Sequence, residues 1–449
     1  MKMVISEEIK EIIRRLEPIL GVRAKHLWYS RLASSGPEDI AELESLIRIL
    51  NERSVGSGYK NEILLPPPSR KTLPDRFRLG TVLYPDTEYS RIGLSGSDFI
   101  KHILIVGMTG AGKTNLCYNI VSELMDEGIP FLVFDWKGSY RPLRQQKGFE
   151  NLKVIEIGSP DSGFTFNPLI PPPGINPKLW MPLLIDVIKH AFFVAHGVEY
   201  FFRKGIDHLY KQFGIYEGKT EYPTFVDLEK TLQKEFVRGR EMLWMSSVKR
   251  SLASLTFSGI LGEILNVRTQ GQIEDLLSGQ VIIELGDLAT IERVFLIESL
   301  LLWIYHYRKL TGRREYLRHT IVIEEAHHIL SSRKEFMSGE ETIMETMIRM
   351  IREFGQSVII VDQEPSKLSH SVMANTNCKI CFNLGSGRDI QTMGRAMNLT
   401  SEESRFIDKL KVGHAILKLK ERFHEPVHVQ FPLAFKQSQK EVVDSKEVL

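Results

Sequence analysis

The sequence predicts an α/β fold built around a central, mostly parallel β-sheet. Three observations carry that expectation. Short apolar runs recur from residue 100 onward, several of them continuously apolar, as strands buried on both faces must be. Segments of helical periodicity separate most of these runs, which is the pattern of a parallel sheet with crossover helices. One glycine-rich stretch, GMTGAGKT (107–114), lies between such a run and such a helix.

Taken from the N-terminus, residues 1–64 read as a small helical region. Ile9, Ile12, Ile13 and Leu16 share one helix face over 4–20, and Ile40, Leu43, Leu46, Ile47 and Leu50 share another over 37–52. Gly36-Pro37-Glu38-Asp39 opens the second helix with acids in its first turn. Residues 65–98 read as a proline-rich linker with lead-in strands, because LLPPPSRKTLPDRFRLG is extended and only short apolar runs follow between Phe77 and Leu94. The first part of the core, 99–175, holds strands HILIV (102–106), FLVF (131–134) and VIEI (154–157). Residues 176–275 read as an inserted α-helical subdomain, with Trp180, Phe192, Phe193, Tyr200, Phe201, Phe202 and Tyr210 at helical spacing and no strand pattern. The second part of the core, 276–434, holds VIIEL (281–285), TIVIE (320–324), VIIV (358–361) and ICFNL (380–384). HAILKL (414–419) and PVHVQF (426–431) read as a hairpin added at one sheet edge. The polar residues 435–449 form a flexible tail.

The chain of 449 residues carries 58 Lys+Arg against 56 Asp+Glu, a net charge of +2. That balance excludes a strongly basic protein, so any nucleic-acid surface is a local patch. The cysteines are Cys117, Cys378 and Cys381, a sparse, odd number that suits a reducing compartment. Cys378 and Cys381 are three apart on an expected strand, so their thiols point to opposite faces and do not form a zinc half-site. The N-terminus MKMVISEEIKEIIRR is charged throughout, unlike a signal peptide. The most apolar long segment, Leu179 to Val198, is interrupted by Asp186, Lys189 and His190 and reads as a buried helix, not a membrane span. A cytoplasmic protein is expected.

Gly107–Thr114 matches G-x-x-x-x-G-K-[ST] in full. Glycines let the backbone curl so that N–H groups face a phosphate chain, and the following helix adds the positive end of its dipole. The nucleotide-binding candidates are Gly107, Thr109, Gly110, Ala111, Gly112, Lys113, Thr114 and Asn115. Lys113 is expected to reach the β/γ-phosphates and the Thr114 hydroxyl to ligate Mg²⁺. No N-K-x-D sequence is present to read guanine, so ATP is the expected nucleotide.

Such a loop needs carboxylates from a second strand. TIVI, ending in Glu324-Glu325, supplies them: Glu324 for the metal's water shell and Glu325 to orient and polarise water. His327 and His328 follow at once, but neither H-E-x-x-H nor H-x-x-E-H spacing is present, which argues against zinc. VIIV runs into Asp362-Gln363, and Gln363 at that tip can sense the γ-phosphate or the water. Asp135 ends FLVF on the same expected edge and reads equally as a polar strand end with no catalytic role.

GMTGAGKT, FDWKGSY, FTFNPL, IVIEEAHHIL, IRMIREFGQSVIIVDQEPSKL and NTNCKICFNL, in that order, resemble the HerA/FtsK group of P-loop ATPases, and HerA-like proteins most closely. The resemblance covers roughly 76–432. It implies a RecA-like motor domain, a hexameric ring, double-stranded DNA in the central channel and a nuclease or other effector partner. It also implies an arginine given in trans to a neighbour's γ-phosphate; the family's R-E-G-R-K-[FY]-G pattern falls on Arg349 to Gly355, so Arg349 and Arg352 are the candidates. The chain departs from the family in three places. Its first 64 residues read as helices where relatives carry a β-barrel. Ser139 replaces the acid of D-x-x-G-E-Y, and Glu364 replaces the basic residue of T-Q-R-P-S.

The resulting expectation is a Mg²⁺/ATP-driven, ring-forming motor on double-stranded DNA, of the translocase or helicase type. Two rivals stand beside it: a type IV secretion or conjugation ATPase, and a nucleotide-controlled scaffold that assembles and activates an effector. The candidate DNA surfaces are the basic run His306–Thr320, which reads more readily as a solvated or partner-docking face, and Ser331-Ser332-Arg333-Lys334. A ring multiplies a few such cations around its channel.

Overall fold

The computed structural model describes residues 6–34, 36–55, 64–70, 73, 76–85, 87–159, 162–194, 196–257, 259–311, 316–333, 341–423 and 425–434. The expected tail lies outside them. In chain order the helices are α1 (Glu7–Leu20), α2 (Val22–Ala33), α3 (Pro37–Val55), α4 (Gly96–Ile100), α5 (Lys113–Asp126), α6 (Pro177–Phe192), α7 (His196–Gln212), α8 (Phe225–Gln233), α9 (Glu241–Thr256), α10 (Ile260–Leu265), α11 (Thr290–Thr311), α12 (Ile343–Ile351), α13 (His370–Asn375), α14 (Gly387–Met397) and α15 (Ser401–Ser404). The strands are β1 (Phe77–Leu83), β2 (Glu88–Leu94), β3 (Ile103–Val106), β4 (Phe131–Asp135), β5 (Lys153–Glu156), β6 (Gln280–Glu284), β7 (His319–Ile323), β8 (Gln356–Asp362), β9 (Cys378–Cys381), β10 (His414–Leu419) and β11 (Val427–Gln430). The chain divides into two compact units.

The first unit comprises Met1–Ser95, Val106–Ile120 and Asn377–Leu449. Its N-terminal helices have their own core. Ser6 caps α1 by accepting the Ile9 N–H, and Ile9, Ile12, Ile13 and Leu16 pack with Ile47 and Val55 of α3. Helix α2 is not apparent from periodicity, because it buries only Ala24 and Arg31; the Arg31 guanidinium pairs with Glu44 of α3 at 2.7 Å. Ala24 joins the core, with Leu27 and Trp28 partly buried against it, and the Arg31–Glu44 pair completes the same face. The strands of this unit run β2-β1-β11-β10-β9, and each neighbouring pair is antiparallel. The β10–β11 hairpin is therefore not at an edge: β1 pairs with β11 and β2 continues the sheet. Gly80 permits this close approach, since a Cβ there would lie 2.4 Å from the Gln430 carbonyl oxygen.

The second unit comprises Gly96–Ile105 and Val121–Thr376. Its strand order is β3-β8-β7-β4-β6-β5. The pairs β8–β7, β7–β4, β4–β6 and β6–β5 are parallel. Every residue of β4, β7 and β8 is buried, as their unbroken apolar runs require. Helix α11 has buried residues on all sides and packs against α6, where the His190 ring meets the fully buried Glu298 at 2.7 Å. Helices α6 to α10 occupy the stretch expected to be helical, and a capping box of Thr224 and Asp227 starts α8. A mixed sheet with a parallel group of strands flanked by helices is the α/β class expected from the sequence.

Candidate functional site

The phosphate loop belongs to the first unit. Gly107 follows β3, and its backbone passes so close to Phe382 that a Cβ would lie 2.6 Å from the phenylalanine Cβ. Gly110 and Gly112 have φ of 79° and 119°, the left-handed region that glycine enters without strain. The loop is pinned by Met108 N–H donating to the Asn383 carbonyl (2.7 Å) and Gly413 N–H donating to the Ala111 carbonyl (3.0 Å). The Lys113 ammonium donates to the Gly107 and Met108 carbonyls at 2.6 and 3.0 Å, so it is held over the loop it serves. Helix α5 starts at Lys113, with Thr114 half-buried in its first turn. Thr109 is exposed at the turn of the loop. Asn115 has an anchoring job: its amide donates to the Pro432 carbonyl (2.7 Å) and accepts the Ala434 N–H (2.8 Å). A curled, N–H-lined loop running into a helix N-terminus is a cradle for phosphate.

The acidic strand ends belong to the second unit. Parallel register puts the ends of β4, β7 and β8 on one edge. Asp135, fully buried, accepts the N–H groups of Lys137 (3.0 Å) and Tyr140 (2.9 Å) and so shapes the turn after β4. Glu324 is also buried. Burial first, then the charges of Asp135 and Glu325, push its carboxyl up to about 7, against the pull of Lys137. Glu325 has φ 47° and ψ 43°, left-handed values unusual for a residue with a side chain. Its Oε1 accepts from Gln363 Nε2 and from the Lys137 ammonium, the latter at 2.6 Å.

Asp362 organises this edge. Its carboxylate accepts the backbone N–H groups of His327 (2.7 Å), Gln363 (2.7 Å) and Glu364 (2.8 Å), and meets His327 Nδ1 at 3.0 Å. Burial favours the neutral acid, but the His327 contact and these N–H groups hold Asp362 below the ordinary carboxylate range. Burial likewise opposes the His327 imidazolium, yet the hydrogen bond and charge of Asp362, then the charge of Glu325, raise its pKa. His328 stacks on the Trp136 indole at 4.8 Å, whose ring also carries the Arg293 guanidinium 5.1 Å from its centroid. Among the described residues no group of three or more His, Cys, Asp and Glu is placed to hold a metal ion. Cys117, Cys378 and Cys381 are buried, and none is in a disulfide.

Arg349 lies in the last turn of α12 and Arg352 follows the helix, both exposed, with Arg349 paired to Glu341 at 2.9 Å. They precede β8, whereas Gln363 lies beyond its other end. A seven-residue strand is roughly 20 Å long, farther than an arginine side chain reaches. Neither arginine can reach Gln363 of its own chain. Of the basic runs, Arg308 is buried and donates to the Leu277 carbonyl (3.2 Å), so it is not part of a solvated face. Arg313, Arg314 and Lys334 lie outside the described residues, and Arg333 is exposed.

Sequence reasoning missed Lys137, Asp362 as a hub and the Trp136–His328 stack. No short motif announces them, because Lys137 and Glu325 are 188 residues apart. The one available signal was the polar FDWKGSY following an apolar strand.

Comparison with known proteins places this geometry. Residues 77–371 match the family model described as "Helicase HerA, central domain". The DNA double-strand break repair helicase HerA of Saccharolobus solfataricus is 23% identical over 361 residues, covering 76% of this chain and 66% of that protein. The probable counterpart from Methanocaldococcus jannaschii is 21% identical over 387 residues, covering 77% and 74%. The chain thus spans only about two thirds of the length of the first of these curated relatives. Among solved structures, VirB4 of Thermoanaerobacter pseudethanolicus matches with a TM-score of 0.61 at 15% identity, over 79% of this chain and 96% of that one. The plasmid coupling protein TrwB, solved in complex with ADP and Mg²⁺, matches at 0.56 and 14% identity, over 76% and 88%. At such identities these structures speak to the fold alone, the RecA-like P-loop fold. The family model covers well over half of the 449 residues, and the chain belongs to the HerA helicase family through its central domain.

Proposed function

We propose that this chain is an ATP-hydrolysing, ring-forming motor that binds double-stranded DNA and moves along it. The observation that carries the reading is Glu325: a carboxylate presented in a left-handed turn at a buried strand end, with Gln363 on the same oxygen. Membership of the HerA family and the phosphate loop support it. The loop amides and Lys113 bind the β/γ-phosphates. Glu325 accepts the proton of the attacking water and Gln363 orients that water or the γ-phosphate. The residues fit Mg²⁺, a hard cation that takes oxygen ligands, and the costly burial of Glu324 is what a neighbouring cation relieves. Thr114 and Glu324 would hold it, and when bound it neutralises phosphate charge. Arg349 or Arg352 reaches the γ-phosphate of a neighbouring subunit, which makes a homo-oligomer, a hexameric ring, part of the reading.

A nuclease or other effector partner in DNA processing, repair or defence belongs to the same proposal. So does a cytoplasmic location, in keeping with three cysteines outside any disulfide. Among the described residues no helix is long and apolar enough to cross a membrane. Purified protein with duplex DNA tests the reading. Duplex should bind the oligomer and raise its ATPase rate. Lys113→Ala should abolish nucleotide binding or turnover, and Glu325→Gln should keep binding and stop hydrolysis. Duplex that neither binds nor stimulates refutes the DNA part.

One observation favours a second reading, a nucleotide-controlled scaffold. The N-terminal helices have their own core, and α2 exposes Val22 (69%), Tyr29 (65%) and Leu32 (56%), a surface on which an effector can dock. An oligomer of Glu325→Gln that still activates its effector would favour it.

A further inference from the structure

The Lys137–Glu325 contact has no place in the hydrolysis scheme above. A general base must offer its carboxylate to water, yet both hydrogen bonds to Glu325 Oε1 come from protein groups, the Lys137 ammonium and the Gln363 amide. The other oxygen, Oε2, lies 3.9 Å from His327 Nδ1. Glu325 is thus enclosed, with its side chain 14% exposed, while that of Lys137 is 57% exposed.

The two ends of Lys137 are built differently. Its backbone is fixed, because the N–H donates to buried Asp135 and Gly138 follows at φ 69°. Its ammonium is in water, where an ion pair is weak and easily exchanged. Lys137 also lines a pocket of about 280 Å³ whose wall carries the carboxylates of Glu156, Glu284 and Asp287. Arg141 already pairs with two of them, Glu284 and Glu156, each at 2.7 Å; Asp287 is exposed on the same wall. The lysine therefore has acids on two sides, Glu325 on one and this pocket on the other.

We propose that Lys137 is a positioning residue that restrains Glu325 in the resting protein and releases it by swinging toward the acid-lined pocket. The proposal rests on the reading of Glu325 as the base. Lys137 holds the carboxylate against Gln363 and lowers the fraction of molecules in which it can take up a water. Because the pair is half in solvent, salt screens it. The basal rate is then set partly by how often an exposed ion pair opens.

The test is kcat at saturating ATP without DNA, followed from about 20 mM to about 500 mM KCl, for wild type, Lys137→Met, Lys137→Arg and Glu325→Gln. An exposed pair of ordinary strength gives an expected rise of about two- to fivefold in kcat for Lys137→Met. Wild-type kcat should rise with salt; Lys137→Met should lose that rise, and Lys137→Arg should restore both the restraint and the salt dependence. A merely structural lysine would leave the salt profile in place. If Glu325→Gln is inactive and Lys137→Met is equal to or slower than wild type, Glu325 keeps its role and the restraint is refuted. If Glu325→Gln turns over normally, the assignment of the base fails, and the restraint with it. Thermal melts of each variant separate loss of fold from loss of rate.

Discussion

Asp362→Asn removes the charge on which four hydrogen-bond donors converge. Three are backbone N–H groups at 2.7–2.8 Å and the fourth is the His327 ring. The Asp362 side chain is 0% exposed, and that of His327 is 14% exposed. Breaking a buried pair by removing one partner costs about 3–5 kcal/mol, and the carbonyl kept by asparagine returns part of it, so a loss of about 2–4 kcal/mol is expected. The dependence on pH has a definite sign. His327 is raised by its partner, so its share is complete below the ordinary histidine value of 6.5 and fades as pH rises through the folded value. Asp362 is lowered, so its share is present above the ordinary 3.8 and is lost as pH falls through the folded value. The gap between wild type and Asp362→Asn should be widest between roughly pH 4 and 6.5 and should narrow toward pH 9, leaving the part due to the backbone bonds. Urea unfolding followed by circular dichroism at pH 5.5 and 9 measures it. A gap under about 0.5 kcal/mol, or one that widens with pH, refutes the reasoning. Turnover should fall as well, since Gln363, and the turn from Glu325 to His327, lose the bonds that Asp362 gives the Gln363 and His327 backbones.

Glu324→Gln should stabilise the nucleotide-free protein at pH 8. The folded carboxyl titrates at about 7, above its ordinary 4.5, so wild type loses stability as pH rises from 4.5 to 7 and stays low above that, while the glutamine variant lacks this slope. Melting temperatures at pH 5.5 and pH 8 decide it; equal slopes would contradict the burial argument. For the arginines, a mixing experiment is expected to restore activity. Neither Lys113→Ala nor the double variant Arg349→Ala/Arg352→Ala should hydrolyse ATP alone. Mixed oligomers should regain turnover, because some interfaces pair an intact loop with an intact arginine. A mixture as inactive as its components contradicts action in trans.

The elements legible in the sequence are those whose physics is local. β4, β7 and β8 are buried on both faces, and their runs FLVF, TIVI and VIIV show it. The phosphate loop is legible because backbone curling demands glycine at fixed places, as Gly110 and Gly112 show. Helix α2 is less so, because exposed Val22, Tyr29 and Leu32 blur the apolar face formed by Ala24, Leu27 and Trp28, and the buried Arg31 is held by an ion pair to Glu44. The place of β1 beside β11 depends on Gly80 meeting Gln430, a contact 350 residues apart by sequence number. In the candidate site the acids at strand ends are visible, but what holds them is not. Lys137, Asp362 and the left-handed turn at Glu325 are products of tertiary placement, and each was found only when strands brought distant residues together.

Steady-state ATP hydrolysis with and without duplex DNA, wild type beside Glu325→Gln, tests the central claim most directly. The account predicts a wild-type rate that rises on duplex and a Glu325→Gln rate lower by about 10²–10⁴-fold with nucleotide still bound. A Glu325→Gln protein that turns over like wild type, or a wild-type rate indifferent to duplex, would contradict it.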